Sequence, residues 1–447
     1  MQVALFVHRF PPAVGGAEAY TARLCDYLLQ SGDSVHVWTT TAIELTDFWY
    51  SNRARSGPSF AEQSTPIESE NFQIRRFQPL YFPLRRYFLK GLSLIPIRSW
   101  QCLTVPCNPI CPRMLAEANS YDGRLDAVHA SAFPYSFPIW CGLKLARRRN
   151  VPFYVTPFLH LGDLSDPRNS IRKQYTKHHL RWLLLQADGV FVQTHSEQQA
   201  VIQLGVEPHN VHLHGLGVDI PSCTNGNRTR IRHQWGVRPD EVVIGHLANN
   251  SKEKGTIDLL KAAKRAWHQG HRFKIVLAGP EMPNFQRFWE RFGPATFVNR
   301  LGILSDPERR DFFAGIDCFA LPSQCDSFGL VLLEAWANQK PNLVYHAGGP
   351  GELIRHGIDG LVARCGDLVD LTQQLIQLIE QPSLRRKLGS AGYARVQSEF
   401  SWSDKLAFVR SVLTGNPAQA PLPFFKHNAL LTPAATLTTP GCPIQNA

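Results

Sequence analysis

The chain alternates between strand-like and helix-like hydrophobic patterns from its first residues. An apolar run, VALFVH, is followed by a loop rich in proline and glycine, and then Tyr20, Leu24 and Leu28 recur at helical spacing. Gly32 ends this helical segment, and the next strand reads VHVWT. Further strands are readable as LDAVHAS, FYVTPFLH and GVFVQT, and the helical segment IRKQYTKHHLRWLLLQA precedes the last of them. Strands that alternate with helices predict a parallel α/β sheet.

A second series of the same kind fills the other half of the chain. The polar stretch PSCTNGNRTR interrupts the pattern near residue 222. After it, helical segments alternate with the strands VVIGHLA, FKIVLAGP, TFVNRLG, CFALPS and PNLVYHAG. A chain of 447 residues also exceeds the usual size of one hydrophobic core. We therefore predict two doubly wound, Rossmann-like α/β domains that face each other across a cleft, residues 1–222 and 223–395.

The last part of the chain has a different character. Helical patterns continue to about residue 414, and residues 415–447 then carry six prolines, one lysine as their only charge and no periodicity. This composition predicts a disordered tail over 415–447.

Composition adds the cellular setting. No apolar run approaches the roughly 18 residues that span a bilayer, and the first residues do not read as a signal peptide. We therefore expect a cytoplasmic protein that keeps its ten dispersed cysteines reduced. The one cysteine cluster, Cys102, Cys107 and Cys111, lacks the paired spacing of a zinc site, so we expect no metal.

The net charge of +11 predicts an anionic partner, and its distribution narrows the choice. Residues 71–116 contain no acid, and their basic residues are interleaved with aromatic ones: Arg75, Arg76, Phe77, Tyr81, Phe82, Arg85, Arg86, Tyr87, Phe88, Lys90, Arg98, Trp100 and Arg113. This pattern is typical of a segment in a lipid headgroup layer, although a basic loop that packs its aromatics on its own domain would read the same way. Because no nucleic-acid-binding module is readable, we expect no nucleic acid partner.

Two candidate binding elements lie in the first half, each where a strand ends. Gly15 and Gly16 stand between the first strand and the first helix, where backbone N–H groups can approach a phosphate closely. A Gly-Gly turn before a helix is common, and it lacks the GxGxxG spacing of a dinucleotide enzyme. His160 ends the strand FYVTPFLH and could donate a hydrogen bond to a sugar hydroxyl or to developing negative charge, although a lone histidine is more often structural.

Two further candidates lie in the second half. Lys252 and Lys254 precede a helix N-terminus at Gly255, an arrangement that suits a diphosphate, although a solvated loop would look alike. In CDSFGLVLLEAW, a helix that begins near Ser327 would present N–H groups to an anion; these groups belong to Phe328, Gly329 and Leu330.

Two acids flank that helix start. Glu334 lies two turns beyond Asp326, about 10 Å along the axis, which is too far for two carboxylates on one glycosidic bond but suits a grip on both ends of an extended ligand. The alternative makes Asp326 a helix cap and Glu334 an ordinary helical residue. Against it, the neighbours of Glu334 are apolar, and a carboxylate there is costly unless hydroxyls or a cation satisfy it.

These segments, in this order, resemble the retaining GT-B glycosyltransferases of family four. The resemblance covers the chain to about residue 414 and is carried by PPAVGGAEAYTARL, KGTIDLLKA, FFAGIDCFALPSQCDSFGLVLLEAWANQKP and GGPGELIRHGIDGLV. It implies a hexosyltransferase (EC 2.4) that moves a sugar from a nucleotide diphosphate sugar to an acceptor hydroxyl with retention of configuration, without a metal or other cofactor. It also implies that a helix over 396–414 crosses back to the first domain.

The resemblance implies a role for each matching position. Asp326 would lie near the donor sugar with the active-site histidine, His160, and Glu334 would bind the ribose. Lys254 and the helix start at Ser327–Leu330 would bind the diphosphate, and the glycine loop at Gly15 and Gly16 would lie near the phosphates and the acceptor. This chain departs from the family twice: Asp326 replaces its usual glutamate, and His246 in GHLANN replaces its usual arginine, a place that Lys252 could also fill.

We therefore expect a glycosyltransferase of polysaccharide, lipopolysaccharide or glycolipid synthesis. Its partners would be a nucleotide sugar donor, a glycan or lipid-linked acceptor and, through residues 71–116, the inner face of an anionic membrane as a peripheral contact. The alternative is a catalytically inactive subunit that binds sugar nucleotides.

Overall fold

The protein is described by a computed structural model that covers residues 1–49, 70–164, 166, 169–293 and 295–416. The tail predicted over 415–447 lies outside the described residues, apart from its first two. Within the described ranges, every strand joins one of two parallel sheets, one built by each half of the chain.

The first half of the chain builds a seven-stranded sheet. Its strands are β1 (Gln2–Phe6), β2 (Ser34–Thr40), β3 (Phe72–Phe77), β4 (Ala127–Ser131), β5 (Phe153–Thr156), β6 (Gly189–Val192) and β7 (Val211–Leu213). Their spatial order is β3-β2-β1-β4-β5-β6-β7, so the order reverses between β1 and β4. In open α/β sheets, ligands bind at such a reversal, outside the carboxyl ends of the strands.

The second half builds a six-stranded sheet on the same plan. Its strands are β8 (Val242–Leu247), β9 (Phe273–Ala278), β10 (Val298–Gly302), β11 (Cys318–Leu321), β12 (Asn342–Tyr345) and β13 (Gly360–Ala363). The order is β10-β9-β8-β11-β12-β13, with its reversal between β8 and β11.

Helices connect the strands and cover both faces of each sheet. Those of the first half are α1 (Gly16–Gln30), α2 (Arg85–Leu92), α3 (Arg98–Thr104), α4 (Pro112–Ser120), α5 (Ser136–Arg149), α6 (Ser170–Tyr175), α7 (His178–Leu184) and α8 (His195–Gln203). The rest are α9 (Ile220–Cys223), α10 (Arg228–Gln234), α11 (Thr256–His268), α12 (Pro283–Phe292), α13 (Asp306–Gly315), α14 (Leu330–Ala337), α15 (Gly348–Leu353), α16 (Leu368–Glu380), α17 (Pro382–Glu399) and α18 (Trp402–Leu413).

The apolar run of β1 explains why the first sheet is buried on both faces. Val3 and Leu5 pack with Leu24 of α1, whereas Ala4 and Phe6 point the other way, into a cluster with α5. Alternate residues of a strand face opposite sides, so a strand covered by helices on both sides is apolar throughout. This confirms the doubly wound α/β architecture predicted from the sequence.

The chain passes between the two domains twice, side by side. Val218 and Ser401 form an isolated β-bridge, and the Val218 N–H donates to the carbonyl oxygen of Phe400 at 2.8 Å. Beyond this bridge, α18 lies against the first domain, where Arg410 Nε donates to Asp33 Oδ2 at 2.7 Å. The structure therefore places the last helix of the described chain on the first domain.

Local details differ from the sequence expectations. The edge strand β3 and the short strands β7 and β13 were not predicted, and the segment predicted as one helix before β6 is two helices, α6 and α7. The break falls at Lys177, whose extended backbone (φ −58°, ψ 151°) ends the α-helical run.

Candidate functional site

Most of the candidate residues lie on loops that follow β1, β5, β8 and β11, and Glu334 lies within α14. Two contacts cross between the domains there. The Gly348 N–H donates to the carbonyl oxygen of Gly162 at 2.9 Å, and His160 Nδ1 lies 3.1 Å from Cys325 Sγ. Both sheets therefore direct the carboxyl ends of their strands at one cleft, where such folds bind ligands.

An ion pair between Lys254 and Asp326 lies at the centre of this cleft. Lys254 Nζ is 2.6 Å from Asp326 Oδ2 and also donates to the carbonyl oxygen of Cys325 at 3.1 Å. Burial by itself would raise the pKa of Asp326, but the charge of Lys254 and the nearby His160 outweigh it, so the pKa lies below its usual value. The ionised form of Asp326 is therefore favoured in this ion pair.

Gly255 explains how Lys254 reaches this position. Its backbone is left-handed (φ +76°) at the N-cap of α11. A Cβ atom there would lie 1.8 Å from the carbonyl oxygen of Pro322, so only glycine lets the loop after β8 lie directly on the loop after β11. The lysine-glycine sequence therefore brings a cation to a helix N-terminus at the cleft.

His160 is held in its neutral form. It is half-buried, and its ring stacks on Tyr175 with a centroid distance of 4.6 Å and an interplanar angle of 9°. Burial lowers its pKa to about 4, with Lys254 adding to the shift and Asp326 opposing it. A neutral imidazole keeps one N–H donor and one acceptor nitrogen at pH 7.

Helix α14 begins three residues later than the sequence predicted. It starts at Leu330 rather than Ser327, because Gly329 is the N-cap with a left-handed backbone (φ +88°). Ser327 and Phe328 belong to the preceding loop, and the Phe328 side chain is 1% exposed. The first helical N–H groups are therefore those of Leu330 and its successor, and Asp326 is not the helix cap.

The loop before α14 is enclosed by the glycines of GGPG. The Gly349 N–H donates to the carbonyl oxygen of Asp326 at 3.1 Å. A Cβ on Gly348 would lie 2.4 Å from that same oxygen, and one on Gly349 would lie 2.0 Å from the Ser327 carbonyl. The two glycines therefore allow one backbone to pack on the other and fix the position of Asp326.

Glu334 forms a second charged cluster. Arg309 of α13 binds its carboxylate with both arms, Nε to Oε2 at 2.9 Å and Nη2 to Oε1 at 2.7 Å. Burial raises the pKa of Glu334, and Arg309 opposes that shift. The apolar neighbours of Glu334 indicated that such a carboxylate needs a partner, and the structure supplies a cation.

The glycine loop of the first domain packs closely against the first turn of α1, the helix that follows it. A Cβ on Gly15 would lie 2.2 Å from Glu18 Oε2, whereas Gly16 is exposed and has nothing near its Cβ position. Glu18 is buried and pairs with Arg9 at 2.5 Å and with His8 at 3.3 Å. Burial by itself would raise the pKa of Glu18, but His8 and Arg9 bring it to about 2. Gly15 therefore serves packing, and Gly16 faces outward.

The structure does not place His246 where a ligand could reach it. The residue is 0% exposed, and its two ring nitrogens lie 2.8 Å from the carbonyl oxygen of Ala320 and 2.8 Å from Thr256 Oγ1. Burial lowers its pKa to about 4, so the ring is neutral and joins β8 to β11 and to the start of α11. Assigning His246 to the diphosphate is corrected accordingly, whereas Lys252, on the loop that follows β8, is exposed.

Sequence reasoning missed several partners of the site. These are Arg309 beside Glu334, Tyr175 and Cys325 beside His160, and Glu352, whose oxygens accept from the N–H groups of His195 at 2.6 Å and Ser196 at 2.9 Å. Glu352 belongs to the second domain and His195 begins α8 of the first, so this carboxylate joins the domains at a helix N-terminus. The motif GGPGE was noted, but nothing in its spacing indicates this contact.

The described residues contain neither a cluster of metal ligands nor a membrane-spanning helix. No three His, Cys, Asp or Glu side chains in this part of the chain are grouped as metal ligands. None of its helices is both long and apolar enough to cross a bilayer.

Two family models match the chain. The "Glycosyl transferase 4-like domain" matches residues 15–217, and "Glycosyl transferases group 1" matches residues 227–395. Together they span most of the chain and contain the cleft residues described above. The chain therefore belongs to the group 1 glycosyl transferases, and the family predicted from the sequence is confirmed.

Individual relatives are more distant. The N-acetyl-alpha-D-glucosaminyl L-malate synthase of Bacillus anthracis is 30% identical over 173 residues, which span 38% of this chain and 45% of that one. The D-inositol 3-phosphate glycosyltransferase of Thermobifida fusca is 25% identical over 324 residues, which span 67% of this chain and 72% of the relative. The chain thus spans about half to about three quarters of the length of these two relatives.

Solved structures share the fold over almost the whole chain. Sucrose-phosphate synthase from Thermosynechococcus elongatus has a TM-score of 0.69 at 18% identity, over 92% of this chain and 98% of that one. The Anabaena protein HepE in complex with UDP-glucose has a TM-score of 0.66 at 19% identity, over 93% and 100%. These likenesses confirm the GT-B fold.

Proposed function

We propose that this protein is a retaining hexosyltransferase that moves a sugar from a nucleotide diphosphate sugar to an acceptor hydroxyl. The observation that carries the proposal is the Lys254–Asp326 ion pair, 2.6 Å long, beside His160 and the N-terminus of α14. A cation, a helix N-terminus and a carboxylate at one point suit a diphosphate joined to a sugar. HepE, which shares the fold, has been solved with UDP-glucose bound.

The leaving diphosphate would be bound by Lys254 and the N–H groups at the start of α14. When a donor arrives, its phosphate oxygens compete with Asp326 for the lysine. Charge that develops on the leaving oxygen is then stabilised by a fixed cation and by helix N–H groups. These groups supply the positive charge that a metal ion supplies in other transferases, so the proposed reaction is independent of metal.

The sugar would lie between Asp326 and His160. Asp326 is ionised and accepts hydrogen bonds from sugar hydroxyls, and the neutral His160 can donate one. Asp326 is one methylene shorter than the glutamate usual in the family, and its carboxylate is bonded to Lys254. We expect this difference to alter donor preference rather than to abolish transfer.

The ribose would be bound by Glu334. Burial raises the pKa of Glu334 and Arg309 opposes that shift, and the carboxylate oxygens that Arg309 orients would accept hydrogen bonds from the ribose hydroxyls as well. The two charged clusters thus hold the two ends of one extended donor, as their spacing in the sequence suggested.

The acceptor would be bound by the first domain. Its basic segment, residues 71–116, favours a glycan or lipid-linked acceptor of polysaccharide, lipopolysaccharide or glycolipid synthesis, used at the cytoplasmic face of a membrane. The alternative function, an inactive subunit that binds sugar nucleotides, is favoured by one observation, the shorter Asp326.

A donor screen tests the proposal. Calorimetry with a panel of nucleotide diphosphate sugars should identify a donor, and incubation of that donor with glycan and lipid-linked acceptors should release the nucleotide diphosphate. NMR of the product should show the anomeric configuration of the donor, and a chelator should leave the rate unchanged. Donor binding without hydrolysis or transfer to any acceptor would establish the inactive subunit instead.

A further inference from the structure

Helix α2 and the segments that flank it expose several large apolar side chains. The apolar surface comprises Leu84, Tyr87, Phe88, Leu94, Ile95 and Ile97, on α2 and the loop that joins it to α3. Leu84 and Tyr87 are 75% and 77% exposed, and Leu94 is 76% exposed. Single exposed apolar residues are ordinary, but a contiguous group marks a contact site.

A groove runs beside this apolar surface. It has a volume of about 370 Å³ and is lined by Ile95, Ile97, Ser99, Trp100, Leu103 and Trp140. Trp100 turns its indole N–H away, toward the carbonyl oxygen of Leu92 at 3.0 Å, and leaves its ring to the groove. Walls of this chemistry accommodate a hydrocarbon chain rather than a polar group.

Three exposed cations lie near the apolar surface, one of which, Arg86, also lies over the Trp49 ring at 5.2 Å from its centroid. Arg86 and Lys90 of α2 are exposed, as is Lys144 of α5, whose Nζ lies 5.3 Å from the ring centroid of the groove residue Trp140. No acid occurs between residues 71 and 116. The surface is therefore complementary to one that is apolar inside and anionic at its edge, which describes a bilayer with acidic headgroups.

The structure also separates outward-facing cations from internal ones. Arg85 is 3% exposed and donates to the carbonyl oxygen of Asn108 at 2.5 Å, and Arg75 pairs with Glu117 at 2.9 Å. These two arginines hold the segment on its own domain. The alternative of a self-packed basic loop thus describes part of the segment, and the apolar surface with its exposed cations is the other part.

The position of the surface relates it to the cleft. Cys107, just beyond α3, donates to the carbonyl oxygen of Pro134 at 3.8 Å, and Pro134 follows β4 at the carboxyl edge of the first sheet. The segment that carries the apolar surface therefore continues to the carboxyl edge of the first sheet, the edge that faces the cleft.

We propose that α2, α3 and their connecting loop form a docking surface for an anionic bilayer. The exposed apolar side chains enter the acyl region, Arg86 and Lys90 bind acidic headgroups, and the groove holds one hydrocarbon chain. Docking in this way would present the cleft to a lipid-linked acceptor at the membrane, which deepens the proposed function. Only the lipid-linked nature of the acceptor rests on that function; the contact with the bilayer does not.

Vesicle flotation of the full chain tests the docking surface. The protein should float with phosphatidylcholine vesicles that contain 30% phosphatidylglycerol, bind pure phosphatidylcholine far less, and lose much of its binding in 0.5 M salt. Each cation near an acidic surface strengthens binding about 5-fold, so R86Q/K90Q should bind roughly 30-fold more weakly. The variant Y87S/F88S/L94S should bind weakly at low and high salt alike.

Matched controls separate this inference from the proposed activity. R386Q/K387Q removes the same charge from exposed positions of the second domain and should bind vesicles like the original protein. All variants should keep their affinity for the nucleotide diphosphate and their melting temperature. If R386Q/K387Q weakens binding as much as R86Q/K90Q, or if Y87S/F88S/L94S changes the molecular mass in light scattering but not vesicle binding, the proposal is overturned. Loss of docking with donor affinity intact would leave the proposed function standing.

Discussion

At the scale of single residues, the cleft holds two carboxylates in opposite electrostatic settings. Asp326 has a lowered pKa because Lys254 and His160 outweigh its burial, whereas the pKa of Glu334 is raised because burial outweighs Arg309. Removing the charge of Asp326 and removing that of Glu334 should therefore change different properties of the protein.

Neutralising each acid should separate transfer from nucleotide binding. Asp326→Asn should lower kcat about 100-fold, since an interaction with the reacting sugar is lost, while the Kd for the nucleotide diphosphate changes little. Glu334→Gln should raise that Kd roughly 10-fold, since charged hydrogen bonds to the ribose are lost. Calorimetry and steady-state rates measure both. Asp240→Asn, at an exposed position of the second domain, is the control, and the assignment fails if neither acid variant differs from it.

The pH profile should show the neutral state of His160. An ordinary histidine titrates near 6.5, but here burial lowers the pKa to about 4, so protonation begins only as the pH falls toward 4. We expect kcat/KM to show no histidine limb between pH 5 and 7. A limb near pH 6.5 that disappears in His160→Gln would contradict this expectation.

The charged pairs show what sequence can and cannot give at this scale. The apolar neighbours of Glu334 required a cation, but they could not identify Arg309, which lies on another helix. His246 was assigned to a ligand because it stands where the family usually has an arginine. It lies within β8, whose two faces are both buried, so a polar side chain there must find partners inside the protein.

At the scale of elements, the start of α14 depends on one glycine. Gly329 has a φ of +88°, and a Cβ there would lie 2.9 Å from Leu332 Cδ1. The sequence predicts the helix and contains the glycine before it. The left-handed N-cap, which moves the helix start three residues further along the chain, depends on the packing of GGPG against the loop. Strand β3 escaped prediction for a related reason. As an edge strand, it turns Arg75 and Arg76 toward partners found only in the folded protein.

Replacing Gly329 should destabilise the second domain. Gly329→Ala forces a side chain into a left-handed backbone at a cost of about 1–2 kcal/mol, which lowers Tm by about 2–4 °C for each kcal/mol. Calorimetric scans would measure this. Gly91→Ala is the matched control, because Gly91 lies within α2 with open space at its Cβ position, where alanine is favoured. Equal Tm values for the two variants would refute the role of Gly329.

At the scale of the whole molecule, Glu352 joins the two domains. Its carboxylate accepts from two N–H groups at the start of α8, at 2.6 and 2.9 Å, although it belongs to the second domain. Two further contacts, Gly348 to Gly162 and His160 to Cys325, lie at the same cleft. The alternation of strand and helix patterns predicted both domains well. Contacts between domains, however, produce no periodic pattern of hydrophobic residues from which they could be predicted.

Removing the charge of Glu352 should favour an open cleft. Glu352→Gln loses a charged contact with a helix N-terminus, about 1–3 kcal/mol of the closed arrangement. Small-angle scattering should show a larger radius of gyration without ligand, and KM for the donor should rise. The control is Asp367→Asn, since Asp367 caps α16 within one domain, at 3.0 Å from the N–H groups of Val369 and Asp370. A radius of gyration as small as that of the control would show that the Glu352 contact does not keep the cleft closed.

The paired crossings at Val218 and Ser401 bear on the exchange of parts between relatives. Because α18 lies on the first domain, with Arg410 bonded to Asp33 and Val412 bonded to Tyr154, that domain is discontinuous along the chain. A chimaera that takes its donor half from another enzyme therefore needs two junctions, which lie side by side at this bridge. A single splice near residue 222 would instead leave the recipient sheet facing a foreign helix.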